Sequence, residues 1–359
     1  MLSNEGKRNY RVMNVLMVGV DKERIGGMWT VADTFISNQK FNKCIKLYYV
    51  ATSTCGTKWK RLRRMLTGYG KVLKILLTKE IDVVHVHMAE KGSVYRKGVV
   101  VYLSKLFGKK VIIQMHAGPI LAWYNTLSKD NKIVVSKVFN KADKMLVLGR
   151  YWKEQMTALI PEEKIKVLYN GAECPNSNPY NPNGQYVLYL GLFKKTKGTY
   201  DLVDAIKKID DKLPEEVKVY LCGSDETGDM NQYVEKSGLQ DRIILPGWIS
   251  KEQRLELFAN AQMCVLPSYF EALSMTVIES MCYGIPMVTT NISTMPELLG
   301  NDIELVEPGD IEGLATMILK LNNDVELRKR ISSIEYPRAK KNFSVEKIIE
   351  STLEIYKNL

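Results

Sequence analysis

The sequence predicts an α/β protein built as two doubly wound parallel-sheet domains, and three observations predict it. Strand-length apolar runs alternate with helix-length segments along the chain, the pattern of strand–helix units wrapped around a parallel sheet. A length of 359 residues suits two domains, each able to bury its own core. Between them, residues 172–185 are rich in Asn and Pro and poor in apolar side chains, the composition of an interdomain linker. The expected divisions are 1–171, the linker 172–185, 186–340, and a final helical segment 341–359.

In chain order, the apolar run Val12 to Val20 is the first strand; Asp21-Lys22-Glu23-Arg24 follows it where a signal peptide would carry a small-residue cleavage site. Arg24-Ile25-Gly26-Gly27 then leads into a helical stretch, and glycines at a strand-to-helix turn let backbone approach a ligand closely. Lys58 to Lys74 reads as a basic amphipathic helix with Trp59 and Tyr69 among its apolar residues, interrupted in pattern by Gly68 and Gly70. Two readings of it stand: a helix lying on an anionic lipid interface, or a solvated helix packed by its apolar face. Further strand signals are expected at Ile81 to His87, Lys110 to Gly118, Lys144 to Leu148 and Ile165 to Leu168. All three histidines lie at or near strand ends: His85 within its strand and so buried, His87 able to face a crevice, and His116 followed by Ala117-Gly118. A metal site is the competing reading of the His-x-His pair, which has no paired carboxylate.

The second half repeats the pattern with a strand and turn opening it over Tyr186 to Gly198, strands at Val217 to Cys222, Arg242 to Trp248, Met263 to Leu266 and Met287 to Thr290, and helices from Tyr200, Ser274 and Asp310. Val345, Ile348, Ile349, Leu353 and Tyr356 share one face of a last amphipathic helix. Six cysteines are scattered without Cys-x-x-Cys or zinc spacing, which reads as a reducing cytosol. No run reaches the roughly 18 apolar residues of a spanning helix, so the expectation is a cytoplasmic protein, at most peripheral on the inner face of a membrane. The net charge of +11 is uneven: residues 1–170 carry 31 Lys and Arg against 12 Asp and Glu, and residues 171–359 carry 20 against 28. That asymmetry points the first half towards an anionic partner, a membrane surface, a lipid diphosphate or nucleic acid, with a solvated basic surface as the plain alternative.

The stretch Pro267 to Thr290 organises the rest. Pro267 ends a buried strand, Ser274 can cap a helix running through Met281, and Gly284 and Pro286 close it before the next strand. Backbone N–H groups around Leu273 to Met275 would then point out of a helix start, where the dipole favours an anion such as a diphosphate, with Glu271 and Glu279 on either side.

Glu271 and Glu279 with Pro267-Ser268 before and Gly284-Ile285-Pro286 after resemble the signature of retaining GT-B glycosyltransferases of family 4, the glycosyl transferases of group 1. The resemblance implies two Rossmann-like domains facing an interdomain cleft, with the last helix crossing back to the first domain. It implies that Glu271 contacts the transferred sugar, that Glu279 holds the ribose, and that Ala272, Leu273 and Ser274 line the donor site. It places His116 beside the sugar, and Gly26 and Gly27 over the donor diphosphate. Gly247 or Trp248 would line the base pocket. The family carries Arg directly after the glycine of its first C-terminal strand, then Lys-Gly six and seven residues after that glycine. Lys197-Gly198 matches and Leu192 departs, so that Lys194 or Lys195 would have to substitute.

The implied reaction moves a sugar from a UDP- or GDP-sugar to a hydroxyl of a saccharide or lipid-linked acceptor, with retention, in envelope, capsule or exopolysaccharide assembly. No Asp-x-Asp signature is evident, so neither metal nor cofactor is expected, and Lys197 with helix N-termini would stabilise the departing diphosphate. Competing readings are an epimerase or phosphorylase of the same fold, and a catalytically silent partner subunit, which Leu192 motivates. Nucleic-acid binding lacks any recognition-helix or RNA-motif signature and is not expected.

Overall fold

The computed structural model describes residues 12–23, 27–116, 118–225 and 228–359. Two compact units emerge. The first takes in the chain up to Val147, then Lys153–Val167 and Ser351–Leu359; the second takes in Leu148–Trp152 and Leu168–Glu350.

The first unit is a six-stranded sheet of β1 (Met13–Gly19), β2 (Ile45–Ala51), β3 (Val83–Met88), β4 (Lys110–Met115), β5 (Lys144–Val147) and β6 (Ile165–Val167), ordered β2-β1-β3-β4-β5-β6. Every pairing is parallel. Strand β3 is buried along its whole length, as a central parallel strand covered on both faces must be. His85 and His87 therefore share one face of β3 and are both fully buried, so His87 does not face an open crevice. The three imidazoles form a column: His85 and His87 stack at 4.7 Å between centroids, His87 and His116 at 5.0 Å. Tyr356, from the final helix Val345–Lys357, closes the column with its hydroxyl 2.6 Å from Nδ1 of His85.

The basic segment forms one uninterrupted helix, Lys58–Thr78, capped by the Thr57 side chain accepting from Lys60 N–H. Gly68 does not break it. A Cβ there would lie 2.8 Å from the carbonyl oxygen of Ala51, so the glycine lets the helix press directly on β2. The glycine that weakens the helical pattern in sequence is thus the one that docks the helix.

The second unit is a five-stranded parallel sheet of β7 (Tyr186–Leu190), β8 (Lys218–Cys222), β9 (Ile243–Gly247), β10 (Ala261–Leu266) and β11 (Met287–Thr289), ordered β11-β10-β7-β8-β9. The chain runs outward from β7 to β9 and then returns to β10 on the other side of β7. The switch point between β7 and β10 is where an open α/β sheet opens a crevice at its carboxyl edge.

Residues 172–185 lie against this unit. Ala172 bridges to Ser344, Asn178 donates to Ser332 Oγ at 2.9 Å, and Tyr180 donates to the carbonyl of Gln262 at 2.9 Å. Cys174 is disulfide-bonded to Cys282, a pairing that runs against the reading of the scattered cysteines as those of a reducing cytosol. The two are 108 residues apart in sequence, and only tertiary packing brings them together. A helix that the sequence reading passed over, Val325–Asn342, has Pro337 within it and buries Glu335 completely.

Candidate active site

The stretch after β10 folds as loop, helix, turn and strand. Strand β10 is fully buried and ends at Leu266, and the helix Met275–Cys282 starts at Ser274, whose Oγ accepts from Val277 N–H. Gly284, in the left-handed region at φ +65°, turns the chain into β11. Among the described residues, the N–H groups of Leu273 and Ser274 have no hydrogen-bond acceptor, so they and the helix start form an electropositive corner.

Glu271 is almost fully buried beside that corner. Its Oε1 takes the Lys197 ammonium at 2.6 Å and the Ser268 hydroxyl at 3.0 Å. The backbone around it is held from several sides: Ser293 Oγ donates to the carbonyl of Glu271 at 2.6 Å, and Trp152 Nε1 and Thr294 Oγ1 both donate to the carbonyl of Ala272. Lys197 is positioned by the short 3-10 turn Lys195–Lys197, which is fastened to the motif loop where Tyr269 N–H donates to the carbonyl of Thr196 at 3.0 Å. Gly198 makes this approach possible. It sits at φ +64°, and a Cβ there would lie 2.0 Å from the carbonyl oxygen of Pro267.

Glu279 lies on the helix Met275–Cys282, and its Oε2 accepts from Arg254 Nη1 at 2.7 Å. Burial pushes its carboxyl above the ordinary range, and the Arg254 guanidinium opposes that shift. A cavity of about 200 Å³ opens here at the carboxyl ends of β7 and β8, with Gly191, Trp248, Arg254, Thr276 and Glu279 in its walls. Trp248 lines it and Gly247 does not; the carbonyl of Gly247 turns instead to Gly223 N–H at 2.8 Å. Thr276 Oγ1 anchors the helix start to the end of β7 by donating to the carbonyl of Leu190 at 2.9 Å. Leu192 follows this edge, its carbonyl accepting from the Tyr189 hydroxyl at 2.8 Å.

In the first unit, Gly26 lies outside the described residues, and Gly27 begins the helix Gly27–Ser37. Gly27 lines a separate cavity of about 470 Å³ with Val20, Ser53, Glu90, Arg96 and Lys97, at the carboxyl ends of β1, β2 and β3. His116 follows β4 with Nε2 at 2.8 Å from Nδ1 of His87. Burial, then the neighbouring His85 and Lys97, push the His116 imidazole down to about 3, so it is neutral near pH 7. Lys97 is fully buried, with its ammonium on the carbonyl of His87. Sequence reasoning singled out neither Lys97 nor Arg254, since an isolated basic residue on a helix carries no spacing signal. Among the described residues no group of three His, Cys, Asp or Glu side chains is placed to hold a metal ion.

Residues 172–337 match the family model described as glycosyl transferases group 1, and residues 41–174 match that of glycosyltransferase family 4. The chain is 23% identical over 317 residues to an uncharacterised 41.2 kDa protein of the cps region of Klebsiella pneumoniae, covering 81% of this chain and 84% of the relative. It is 23% identical over 304 residues to the N-acetyl-alpha-D-glucosaminyl L-malate synthase of Bacillus anthracis, covering 80% and 77%. Among solved structures, HepE of Anabaena in complex with UDP and glucose superposes with a TM-score of 0.71 at 19% identity, over 97% of this chain and all of that one. At that identity the likeness carries the fold.

Proposed function

From a chain that belongs to the group 1 glycosyltransferases and has the GT-B fold, we propose a retaining transfer of a sugar from a nucleotide-sugar, a UDP- or GDP-sugar, to a hydroxyl of a saccharide or lipid-linked acceptor. The carrying observation is the Lys197–Glu271 pair beside the open start of the helix Met275–Cys282. In the reaction, the bond from the anomeric carbon to the diphosphate oxygen breaks and the diphosphate leaves with the electron pair. The acceptor oxygen bonds to the same carbon on the same face, and its proton passes to the leaving phosphate. Lys197 and the N–H groups of Leu273 and Ser274 offset the negative charge that grows on the diphosphate, with no metal required. Glu271 accepts hydrogen bonds from sugar hydroxyls and Glu279 from the ribose. The relative in a cps region, and the UDP and glucose held by HepE, support the nucleotide-sugar and envelope-polysaccharide parts of this reading.

The silent-subunit alternative is not favoured, because the Lys197–Glu271 and Arg254–Glu279 pairs are both formed despite Leu192. The test is incubation with a panel of UDP- and GDP-sugars and saccharide acceptors in chelator, with the product's anomeric configuration read by NMR. An axial donor yielding an axial glycoside is the expected product. An inverted linkage, free sugar alone, or activity only after a divalent ion is restored would overturn the corresponding part.

We also assign a contact with anionic membrane to the first unit. On the helix Lys58–Thr78, Trp59, Leu62, Leu66, Leu73 and Leu77 form one exposed stripe, with Trp59 80% and Leu77 64% exposed. Lys58, Arg63 and Lys74 flank it. Tyr69 ties this helix to its neighbour Gly92–Leu106, donating to the carbonyl of Arg96 at 2.8 Å, and that neighbour carries a second exposed stripe of Tyr95, Val99, Tyr102 and Leu106. Apolar stripes edged by basic side chains complement an anionic bilayer surface. No helix of the described residues is long and apolar enough to cross a membrane.

A further inference from the structure

The cavity beside Glu279 contains a hydrogen-bond donor for which the transfer chemistry above has no use. Arg254 lies on the helix Lys251–Ala259, started by a capping box between Ser250 and Gln253, so its stem is rigidly placed. One guanidinium nitrogen, Nη1, is fixed on Glu279; Nε and Nη2 make no hydrogen bond among the described residues. The side chain is one-third exposed, and its exposed part faces the cavity it lines. Next to it stands Trp248, 70% exposed, an aromatic face with little else to cover it, with Ile249 and Met275 as apolar neighbours.

A guanidinium is donor-only and a carboxylate acceptor-only. With Glu279 accepting from ribose hydroxyls, the adjacent donors of Arg254 and the indole of Trp248 meet what lies beyond the ribose, a flat base. The cation assigned to the diphosphate, Lys197, is not among the residues lining this cavity. Resting on the nucleotide-sugar reading of this site, we propose that Arg254 is a specificity residue that selects a nucleotide whose base presents a keto oxygen, uracil or guanine, over its amino counterpart. A ring carbonyl gains a charge-assisted hydrogen bond from the fork. An exocyclic amino group in the same place sets donor against donor and leaves the remaining guanidinium donors desolvated without an acceptor.

The test uses the full-length chain and two pairs of nucleotides that differ at one position, UDP with CDP and IDP with ADP, measured by calorimetry on wild type and on Arg254→Met. The variant keeps the stem and removes the donors. Expected is tighter binding of the keto member of at least one pair by about tenfold in wild type, from the loss of one charge-assisted hydrogen bond. In Arg254→Met that ratio collapses towards unity because the keto member weakens. The wild-type ratio stands as a test by itself should the variant not fold. Equal binding of keto and amino members by wild type overturns this inference alone, as does a ratio that survives in the variant. A uniform loss across all four nucleotides also overturns it, since the guanidinium would then meet a phosphate or ribose common to them. Binding of none of the four by wild type overturns the nucleotide reading itself.

Discussion

The ammonium of Lys197 rests 2.6 Å from Oε1 of Glu271, on the oxygen that also accepts the Ser268 hydroxyl. Each charge is the other's counter-ion in a nearly buried place, so removing either alone leaves its partner uncompensated. Lys197→Ala and Glu271→Gln are each expected to lower kcat by on the order of 10²–10³, the usual loss for one preorganised electrostatic contact. The double variant should lose little more than the worse single one, because the residues act as a unit. Steady-state kinetics on the three variants check this, and strictly multiplicative losses would show that the pair is not a working unit.

Glu335 predicts a pH dependence of stability that has nothing to do with catalysis. Its carboxyl is fully buried, accepts among the described residues only Met287 N–H, at 3.3 Å, and is pushed up by burial to about 8. The folded chain keeps a proton that the unfolded chain releases near the ordinary carboxyl value of 4.5, so stability falls as pH rises between these values and levels off above about 8. The slope from this one group cannot exceed about 1.4 kcal/mol per pH unit. Glu335→Gln should flatten it and raise stability near neutral pH. Urea titrations of both proteins from pH 5 to pH 9 measure the difference, and parallel curves would exclude the effect.

The Cys174–Cys282 disulfide predicts four titratable thiols in the denatured, unreduced chain, from Cys44, Cys55, Cys222 and Cys264. It fastens the last residue of the Glu279 helix to the segment that leads into β7. Closing so long a loop is expected to contribute about 2–5 kcal/mol. Reductant or Cys174→Ser should lower the urea midpoint accordingly; six thiols in the count, or an unchanged midpoint, would remove the bond from the account.

The exposed stripe of the helix Lys58–Thr78 predicts binding to vesicles containing anionic lipid at low salt. Leu66→Glu with Leu77→Glu should abolish it, and raised ionic strength should weaken it in wild type. Both leucines are exposed, so thermal stability should hardly change. Equal sedimentation of wild type and variant with vesicles would count against the face.

Local chemistry carried the fold in the sequence. The buried strands, the Ser274 cap and the Gly284 turn depend on residues adjacent in the chain, and the alternation of strands and helices sufficed to read two parallel sheets. What sequence could not show depends on distant partners. Gly68 interrupts a helical pattern until Ala51 is placed beneath it, Cys174 carries no pairing signal until Cys282 arrives, and Arg254 is one basic residue among many until Glu279 stands 2.7 Å away. His87 could have pointed either way from its strand; the imidazoles on either side of it decide for burial.

The assignment of Ser351–Leu359 to the first unit has a consequence for synthesis on the ribosome. Residues near the end of the chain supply Tyr356, which covers His85 in a sheet whose strands were made long before. The second unit has its whole sheet, β7 to β11, in hand by residue 289. During translation the earlier-made unit must therefore wait with His85 uncovered by Tyr356 while the later-made one completes its sheet. Domains are commonly expected to finish in the order in which they emerge. In this chain the order of completion is reversed: the unit that begins first closes last.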